Sequence, residues 1–366
     1  MTQRKLRVGV IGAGGISRAA HLPNLKRNPR VDLVAVADID ETKAKQAAQD
    51  FGIDSSYGSY QDLLDDPRVE MVTITTWPTA HAEPVIAAAR AGKHILCEKP
   101  IATTLADADA MVEAAEKAGV KFTMGYQHRF GTQLPLLKRL IDEGVVGRPM
   151  AMTQVGVGPS KHHVPWFLQK KLAGGGVLID WGIYTAHTIL WLMGPVASVS
   201  AETAIFRPEV RVGDELLTDV DVEDTVMATM RFRSGAMGSW YAAWAVAAGH
   251  HSMSIDGSAG SILSKPGTPG ISVFSNTFGE PDHVHGWRTI ETVEPPLIDI
   301  HYRKLAHLVD AVLDDTPLQF SGADGRDALE LVQAVYRAAE TGQVVQLPLA
   351  RETVRTATTA PVASTV

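Results

Sequence analysis

The chain has 366 residues, of which 45% are hydrophobic and 20% charged, and its formal net charge at pH 7 is −7. This length exceeds what a single hydrophobic core usually fills, so we expect two domains in a globular protein. An acidic balance without a Lys/Arg-rich run argues against nucleic-acid binding, and no window of about 18 apolar residues predicts a membrane helix.

Short apolar runs alternate with helix-like segments from residue 6 to about 126. The predicted strands are LRVGVIG, VDLVAVAD, MVTITT, HILCEK and KFTMGY. The predicted helices are DETKAKQAAQDFG, AHAEPVIAAARAGK and TLADADAMVEAAEKAGV, two of which end at a glycine. Apolar strands separated by helices are typical of a parallel sheet covered on both faces, so we predict a doubly wound α/β domain over residues 1–126.

A glycine-rich turn follows the first strand and precedes a helix. It predicts cofactor contacts at Gly12, Gly14, Gly15 and Ile16. Small residues here let backbone N–H groups approach a pyrophosphate. Asp38 ends the second strand, where a carboxylate accepts from a ribose 2′-hydroxyl and repels a 2′-phosphate. We therefore predict a Rossmann domain that binds NAD, with NADP disfavoured. A turn or N-cap role for Asp38 before DETKAK stays open, and Lys43 or Lys45 could accommodate a phosphate.

The fifth predicted strand ends in HILCEKP. Ligands of open parallel sheets bind at the carboxyl ends of the strands, so we expect Glu98 and Lys99 to point into the cofactor crevice. A surface ion pair is the alternative for these two residues. Cys97 is the single cysteine, which excludes an internal disulfide and favours a reducing, cytoplasmic location.

The pattern changes after Gly147-Arg148-Pro149. Longer β-like runs follow: PMAMTQVGV, VASVSAETAI, EDTVMATMRF, GAMGSWYAAWAV, HSMSIDG and WRTIETV. We predict an α+β domain over residues 127–350 with a mainly antiparallel sheet, whose last two helices could pack back toward the first domain. The Thr/Ala-rich stretch 351–366 lacks periodicity and predicts a flexible tail.

Residues 174–187 read GGGVLIDWGIYTAH. Asp180, Tyr184 and His187 follow one another at steps of four and three, which places three polar side chains on one face of a helix. We interpret the three glycines as a segment of close approach beside a ligand.

Six motifs together resemble the Gfo/Idh/MocA family of NAD(P)-dependent oxidoreductases over residues 6–348. They are the glycine turn, TTWPTAH, AGKHILCEKP, the GGGxLxDxG segment, MSIDGSAGSI and ALELVQAVYRAAETGQVVQLPL. The resemblance implies a large open-faced sheet in the second domain, and a homodimer or homotetramer formed through that sheet. It also adds three cofactor contacts from the TTWPTAH loop, namely Thr76, Trp77 and His81.

The resemblance also implies catalytic roles. Lys99 matches the lysine that contacts the reacting hydroxyl and the nicotinamide side, and Asp180 matches the aspartate that orients substrate and the proton-transfer group. Tyr184 stands where most members have a catalytic histidine, and His187 stands where many have aspartate. The tyrosine resembles the glucose-fructose oxidoreductase and ketosugar reductase branches. We expect the Lys99 cation to stabilise its phenolate; a ring buried between the domains is the alternative.

The function that these residues and the resemblance predict is NAD-dependent interconversion of a secondary hydroxyl and a ketone on a sugar, sugar derivative or cyclitol. Two alternatives stay open: an NAD-recycling glycosidase that acts by oxidation and elimination, and a non-catalytic dinucleotide-binding protein. The predicted substrate contacts are Tyr126, Arg129, His163, Trp166, Asp180 and His187. Paired histidines at 250–251 and 283–285 lack a Cys partner or an HExxH arrangement, so we predict no metal.

Overall fold

The computed structural model describes residues 4–159, 164–264, 270–276 and 286–350. Six parallel strands form the first sheet, in the order β3-β2-β1-β4-β5-β6. Their bounds are β1 Leu6–Ile11, β2 Val31–Ala37, β3 Ser55–Tyr57, β4 Met71–Ile74, β5 His94–Cys97 and β6 Phe122–Met124. The strand order reverses between β1 and β4, which opens a crevice at the carboxyl ends of these two strands.

Five helices connect these strands: α1 Leu22–Arg27, α2 Glu41–Phe51, α3 Tyr60–Asp65, α4 Ala82–Arg90 and α5 Leu105–Ala118. The three predicted helices are α2, α4 and α5. Asp40 caps α2 by accepting from the N–H groups of Thr42 and Lys43, and glycines in the left-handed region end α2 and α5. The prediction missed β3, α1 and α3, which span three to six residues and are too short to show a period.

The second sheet has nine strands within the described ranges, in the order β16-β15-β14-β13-β7-β12-β11-β8-β17. The strand bounds from here on are β7 Pro149–Val157, β8 Val196–Ala204, β9 Val210–Val212, β10 Glu215–Leu217, β11 Thr225–Phe232, β12 Met237–Ala243, β13 His250–Gly257, β14 Gly260–Ser264, β15 Gly270–Ser275, β16 Arg288–Glu291 and β17 Val345–Gln346. All neighbours are antiparallel except β7 and β12, and β9 and β10 form a separate pair. The predicted fold class is confirmed.

Five more helices have the bounds α6 Gln133–Asp142, α7 Lys170–Ala173, α8 Ile183–Met193, α9 Leu297–Leu313 and α10 Gly322–Thr341. Of these, α6, α8 and α10 pack on one face of the nine-stranded sheet. From Val226 onward, strand β11 alternates between buried and exposed residues. Val226 and Ala228 face the core, whereas Met227 is 59% exposed on the opposite face. The sheet is therefore half-covered, with an open outer face.

Helix α9 packs on the six-stranded sheet although it lies in the second half of the sequence. Leu305 and Leu308 share a buried cluster with Val8 and Val10 of β1. At one edge Arg30 forms ion pairs with Asp310 of the helix and with Asp314, the residue that follows its last turn. The buried face of α9 thereby lies at the base of the crevice. Within the described part of the chain, no helix is long and apolar enough to cross a membrane.

Candidate active site

The glycine turn at the end of β1 has the conformation and the open space that a dinucleotide needs. Gly12 has φ of +97°, and a Cβ there would lie 2.9 Å from Thr75 Oγ1. A Cβ at Gly14 or Gly15 would meet nothing within 4 Å, and Ile16 is 40% exposed. The turn therefore fits NAD, since its backbone can be approached from the crevice side.

Asp38 lies at the end of β2, next to the glycine turn. Its Oδ2 accepts from the Ala13 N–H at 2.7 Å, and its Oδ1 accepts from the Asp40 N–H at 2.9 Å. The carboxylate thus fixes the glycine turn and remains half-buried at the end of β2. Asp40, not Asp38, caps helix α2, whereas the bond from the Asp40 N–H gives Asp38 the turn role that was the other half of the alternative.

The loop after β4 forms the other wall of the crevice. Trp77 is 52% exposed, whereas His81 is fully buried. His81 Nδ1 lies 2.8 Å from the Pro100 carbonyl oxygen, and its Nε2 lies 3.1 Å from that of Thr76. His81 therefore joins the Thr76 loop to the backbone beside Lys99, and only Thr76 and Trp77 offer surface to a cofactor.

Lys99 and Asp180 meet at the carboxyl end of β5. Lys99 Nζ donates to Asp180 Oδ1 at 2.5 Å and to the Asp180 carbonyl oxygen at 2.9 Å. Both side chains are about one-sixth exposed, at 16% and 17%. The pair is thus shielded enough for strong electrostatics and remains reachable from the crevice.

Tyr184 stands beside this pair. Lys99 Nζ lies 5.0 Å from the centroid of its ring, and the Tyr184 hydroxyl donates to Gln127 Oε1 at 3.0 Å. Burial, followed by the negative charge of Glu98, raises the pKa of Tyr184 well above its ordinary value. The expectation of a lysine-stabilised phenolate is therefore wrong: Lys99 is engaged by Asp180, and Tyr184 is held as a neutral phenol.

Asp180 lies in a widened, π-helical turn, Leu178–Gly182, that leads into α8. Glu223 holds the start of this turn by accepting from the N–H groups of Gly176 and Leu178 at 2.9 and 3.0 Å. Cβ atoms at Gly175 and Gly176 would collide with the Tyr336 hydroxyl and the Glu223 backbone. The glycines thus permit close packing between protein segments, which corrects the interpretation that they line a ligand.

Three predicted substrate contacts lie together in a buried cluster behind Tyr184. Tyr126 stacks on His187 with ring centroids 4.2 Å apart, and Arg129 Nη1 donates to His187 Nε2 at 3.1 Å. Tyr126, Arg129 and His187 are 0%, 7% and 2% exposed. Their side chains therefore support the ring of Tyr184, whose centroid is 6.0 Å from that of Tyr126, and offer no open surface to a substrate.

His128 packs edge-on against Tyr184 at 5.0 Å, and neither ring nitrogen has a hydrogen-bond partner within the described structure. Burial, and secondarily the charge of Arg129, lower the pKa of His128 to about 3. Neither His128 nor the neighbouring Gln127 is among the contacts predicted from the sequence, and the hydrogen bond of Gln127 with Tyr184 places it in the site.

Glu98 does not extend into the crevice as predicted. It is 6% exposed, and its Oε1 accepts from Lys304 Nζ of α9 at 2.6 Å. Although burial opposes ionisation, the Lys304 charge and the His21 hydrogen bond hold the pKa of Glu98 well below its ordinary value. A permanent buried anion therefore lies next to Lys99 in the chain.

The remaining predicted contacts lie near the segment that precedes the three glycines. Trp166 is half-buried and stacks on Phe167 at 3.9 Å, whereas His163 lies outside the described residues. Across the described ranges, no group of three or more metal-ligating side chains occurs. His283 and His285 of the second histidine pair are also outside those ranges.

Comparison with known proteins identifies the family. Residues 6–126 match the oxidoreductase family with an NAD-binding Rossmann fold, and residues 135–263 match the GFO/IDH/MocA C-terminal domain. The chain belongs to the Gfo/Idh/MocA family. The family prediction, the oxidoreductase class and the NAD cofactor are confirmed.

Relatives in this family cover nearly the whole chain. A myo-inositol 2-dehydrogenase of Thermotoga maritima is 29% identical over 344 residues, which are 93% of this chain and 98% of the relative. A 1,5-anhydro-D-fructose reductase of Ensifer adhaerens is 30% identical over 348 residues, with the same two shares. Among solved structures, levoglucosan dehydrogenase in complex with NADH and L-sorbose has a TM-score of 0.84 at 27% identity, covering 94% of this chain and 100% of that one.

Proposed function

We propose that this chain is an NAD-dependent dehydrogenase or reductase that interconverts a secondary hydroxyl and a ketone on a carbohydrate or cyclitol. The observation that carries the proposal is the convergence of Lys99, Asp180 and Tyr184 beside the crevice. The named relatives act on an inositol, an anhydro-sugar ketone and levoglucosan, all polyhydroxylated rings. A polar substrate of this class suits the lysine, carboxylate and phenol of the site.

The residues divide the work of the reaction among them. When bound, NAD would accept a hydride from the alcohol, and NADH would donate one to the ketone. The neutral Tyr184 hydroxyl is the acid that gives its proton to a ketone oxygen and becomes a phenolate, and in the reverse direction that phenolate takes the proton from the alcohol. Lys99 places a positive charge where the oxygen becomes negative, and Asp180 holds the Lys99 ammonium in that position.

Tyr126, Arg129 and His187 act as supports of Tyr184 in this proposal, since all three are buried. Arg129 is stacked 3.4 Å over the Trp191 ring, which fixes the His187 side chain beneath Tyr126. We keep Trp166 as a substrate contact, because it lies half-buried in the turn Pro165–Leu168 that precedes the glycines.

The function is tested by assaying a panel of sugars and cyclitols with NAD and with NADP. Turnover is measured through the absorbance of the reduced cofactor. Turnover of at least one polyol with free NAD supports it. NAD that survives dialysis in stoichiometric amount, with glycoside cleavage and no net reduction, would indicate the NAD-recycling glycosidase instead. Binding of NADH without turnover of any polyol, in a chain whose Lys99–Asp180 pair is intact, would favour the non-catalytic protein.

We further propose that the open face of the nine-stranded sheet joins two copies of the chain. Met227 and Met237 are 59% and 54% exposed on neighbouring strands of this face. Sedimentation of the wild-type chain as a dimer or tetramer, and of Met227→Asp as a monomer, is the expected result; a monomeric wild-type chain would contradict it. A cytoplasmic location remains our expectation, because the single cysteine, Cys97, is buried and free.

A further inference from the structure

A buried cluster of opposite charges joins helix α9 to two segments of the cofactor crevice. Lys304 Nζ donates to Glu98 Oε1 at 2.6 Å, and His21 Nε2 lies 2.8 Å from the same oxygen. Glu98 directly precedes Lys99. His21 ends the widened turn Ser17–His21 that follows the glycines. The cluster therefore contacts the backbone that carries Lys99 and the backbone that meets the dinucleotide.

The three side chains are almost completely removed from solvent. Counted over side-chain atoms alone, the exposed fractions are 0% for His21, 8% for Glu98 and 1% for Lys304. A buried ion pair contributes little net stability, but removal of one partner leaves an uncompensated charge in the interior. The Glu98 carboxylate packs closely on Gly125, where a Cβ would lie 2.6 Å from its Oε2, so the carboxylate cannot shift toward that side. Loss of Lys304 must therefore disturb the surroundings of Glu98.

Lys304 is the cationic partner in this cluster. Burial, and then the Lys304 charge, lower the pKa of His21, so its imidazole is neutral and its Nε2–H donates to Glu98. The backbone N–H of Lys99 lies 3.3 Å from Glu98 Oε2. A shift of the carboxylate toward another partner would therefore move the chain at Lys99 and release the His21 turn together.

We propose that Lys304 is a positioning residue that holds Glu98, and through it Lys99 and the His21 turn, in the geometry that NAD binding requires. The inference rests on the proposed function. Glu98 was predicted to contact the cofactor itself. In this proposal Glu98 instead acts through its buried ion pair with Lys304, which lies 206 positions away in the sequence.

The test compares NADH affinity, measured by fluorescence titration of the full-length chain, among five variants, one of which is Glu98→Gln alone. We expect Lys304→Met to raise the dissociation constant at least about tenfold, equivalent to about 1.4 kcal/mol. Lys304→Arg retains the charge and should stay near the wild-type value. The double variant Lys304→Met with Glu98→Gln removes both charges and should recover most of the affinity. Arg30→Met, which breaks the two ion pairs that Arg30 forms with Asp310 and Asp314, is the matched control and should leave the affinity unchanged.

Steady-state kinetics add a second readout, in which the KM for NAD rises in Lys304→Met more than kcat falls. The inference is overturned if Lys304→Met binds NADH like the wild type, or if the double variant is as weak as Glu98→Gln alone, which would indicate a direct contact of Glu98 with the cofactor. If Lys304→Met fails to fold, the inference is tested by comparing the double variant with Glu98→Gln alone, and tighter NADH binding by the double variant supports it. A wild-type chain without NADH affinity would overturn the proposed function as well, whereas wild-type binding with an unaffected Lys304→Met overturns this inference alone.

Discussion

Replacing Tyr184 by phenylalanine removes one oxygen and keeps the ring. The ring contacts, 6.0 Å to Tyr126 and 5.0 Å to His128 between centroids, are retained in the variant. The structure then loses one hydrogen bond, the one to Gln127 Oε1, so unfolding free energy should fall by only about 1 kcal/mol. Catalysis should fall far more, by about 10²- to 10⁴-fold in kcat, because the proton donor is gone.

The pH dependence of the wild type sharpens this prediction. With its pKa raised by burial and Glu98, Tyr184 is fully protonated near neutral pH, so ketone reduction should be nearly independent of pH there. Alcohol oxidation needs the phenolate and should accelerate about tenfold per pH unit until another step limits it. Both rates are measured by NADH absorbance.

Tyr57→Phe is the matched control, because the Tyr57 hydroxyl also donates a 3.0 Å hydrogen bond, to Asp66, at the edge strand β3, which three strands separate from β5 and Lys99. Its kcat should equal the wild-type value. Full turnover by Tyr184→Phe, combined with inactivity of Lys99→Met, would refute the assignment and make Lys99 the proton donor.

Three further predictions concern neighbouring residues. Asp38→Asn should reduce the preference for NAD over NADP, measured as a kcat/KM ratio, at least about tenfold, because the ribose-side charge is lost; an unchanged ratio would contradict the ribose argument. Gln127→Leu should lower kcat about tenfold through misplacement of the Tyr184 hydroxyl, with the NADH dissociation constant unaltered. The pKa of His128 is about 3 in the folded chain and 6.5 in the unfolded chain. Between these two pH values the unfolded chain binds more protons, so the free energy of unfolding falls as the pH drops below about 6.5. In urea titrations at two pH values, His128→Gln should flatten this decline, which is at most about 1.4 kcal/mol per pH unit.

The sequence predicted those parts of the site that depend on local pattern. Strand, turn and helix follow one another over a few residues around Gly12, so the glycine motif and Asp38 could be placed before the structure was known. The strand end at Lys99 and the helical spacing of Asp180 and Tyr184 were likewise visible in short stretches. Local pattern therefore indicated which residues meet at the crevice.

Contacts between distant segments could not be predicted from the same patterns. Lys304 meets Glu98 across 206 residues, and Glu223 reaches the Gly176 amide across 47. No periodicity marks either residue as special, and Glu98 was consequently assigned to the cofactor. The protonation of Tyr184 also depends on burial and on a carboxylate outside its own helix. Electrostatics of this kind are set by tertiary packing, which a helical spacing does not contain.

Two widened turns frame Lys99, and both are held by buried glutamates. The turn Ser17–His21 is tied to Glu98, and the turn Leu178–Gly182 is tied to Glu223. A π-helical turn costs backbone regularity and occurs often at functional sites, where it redirects a side chain or a peptide group. Here the turn held by Glu98 follows the glycines, and the turn held by Glu223 contains Asp180, which is the partner of Lys99. Because both carboxylates accept from groups that other elements present, the geometry around Lys99 is determined by the packing of the two sheets and α9 together, not by any single motif.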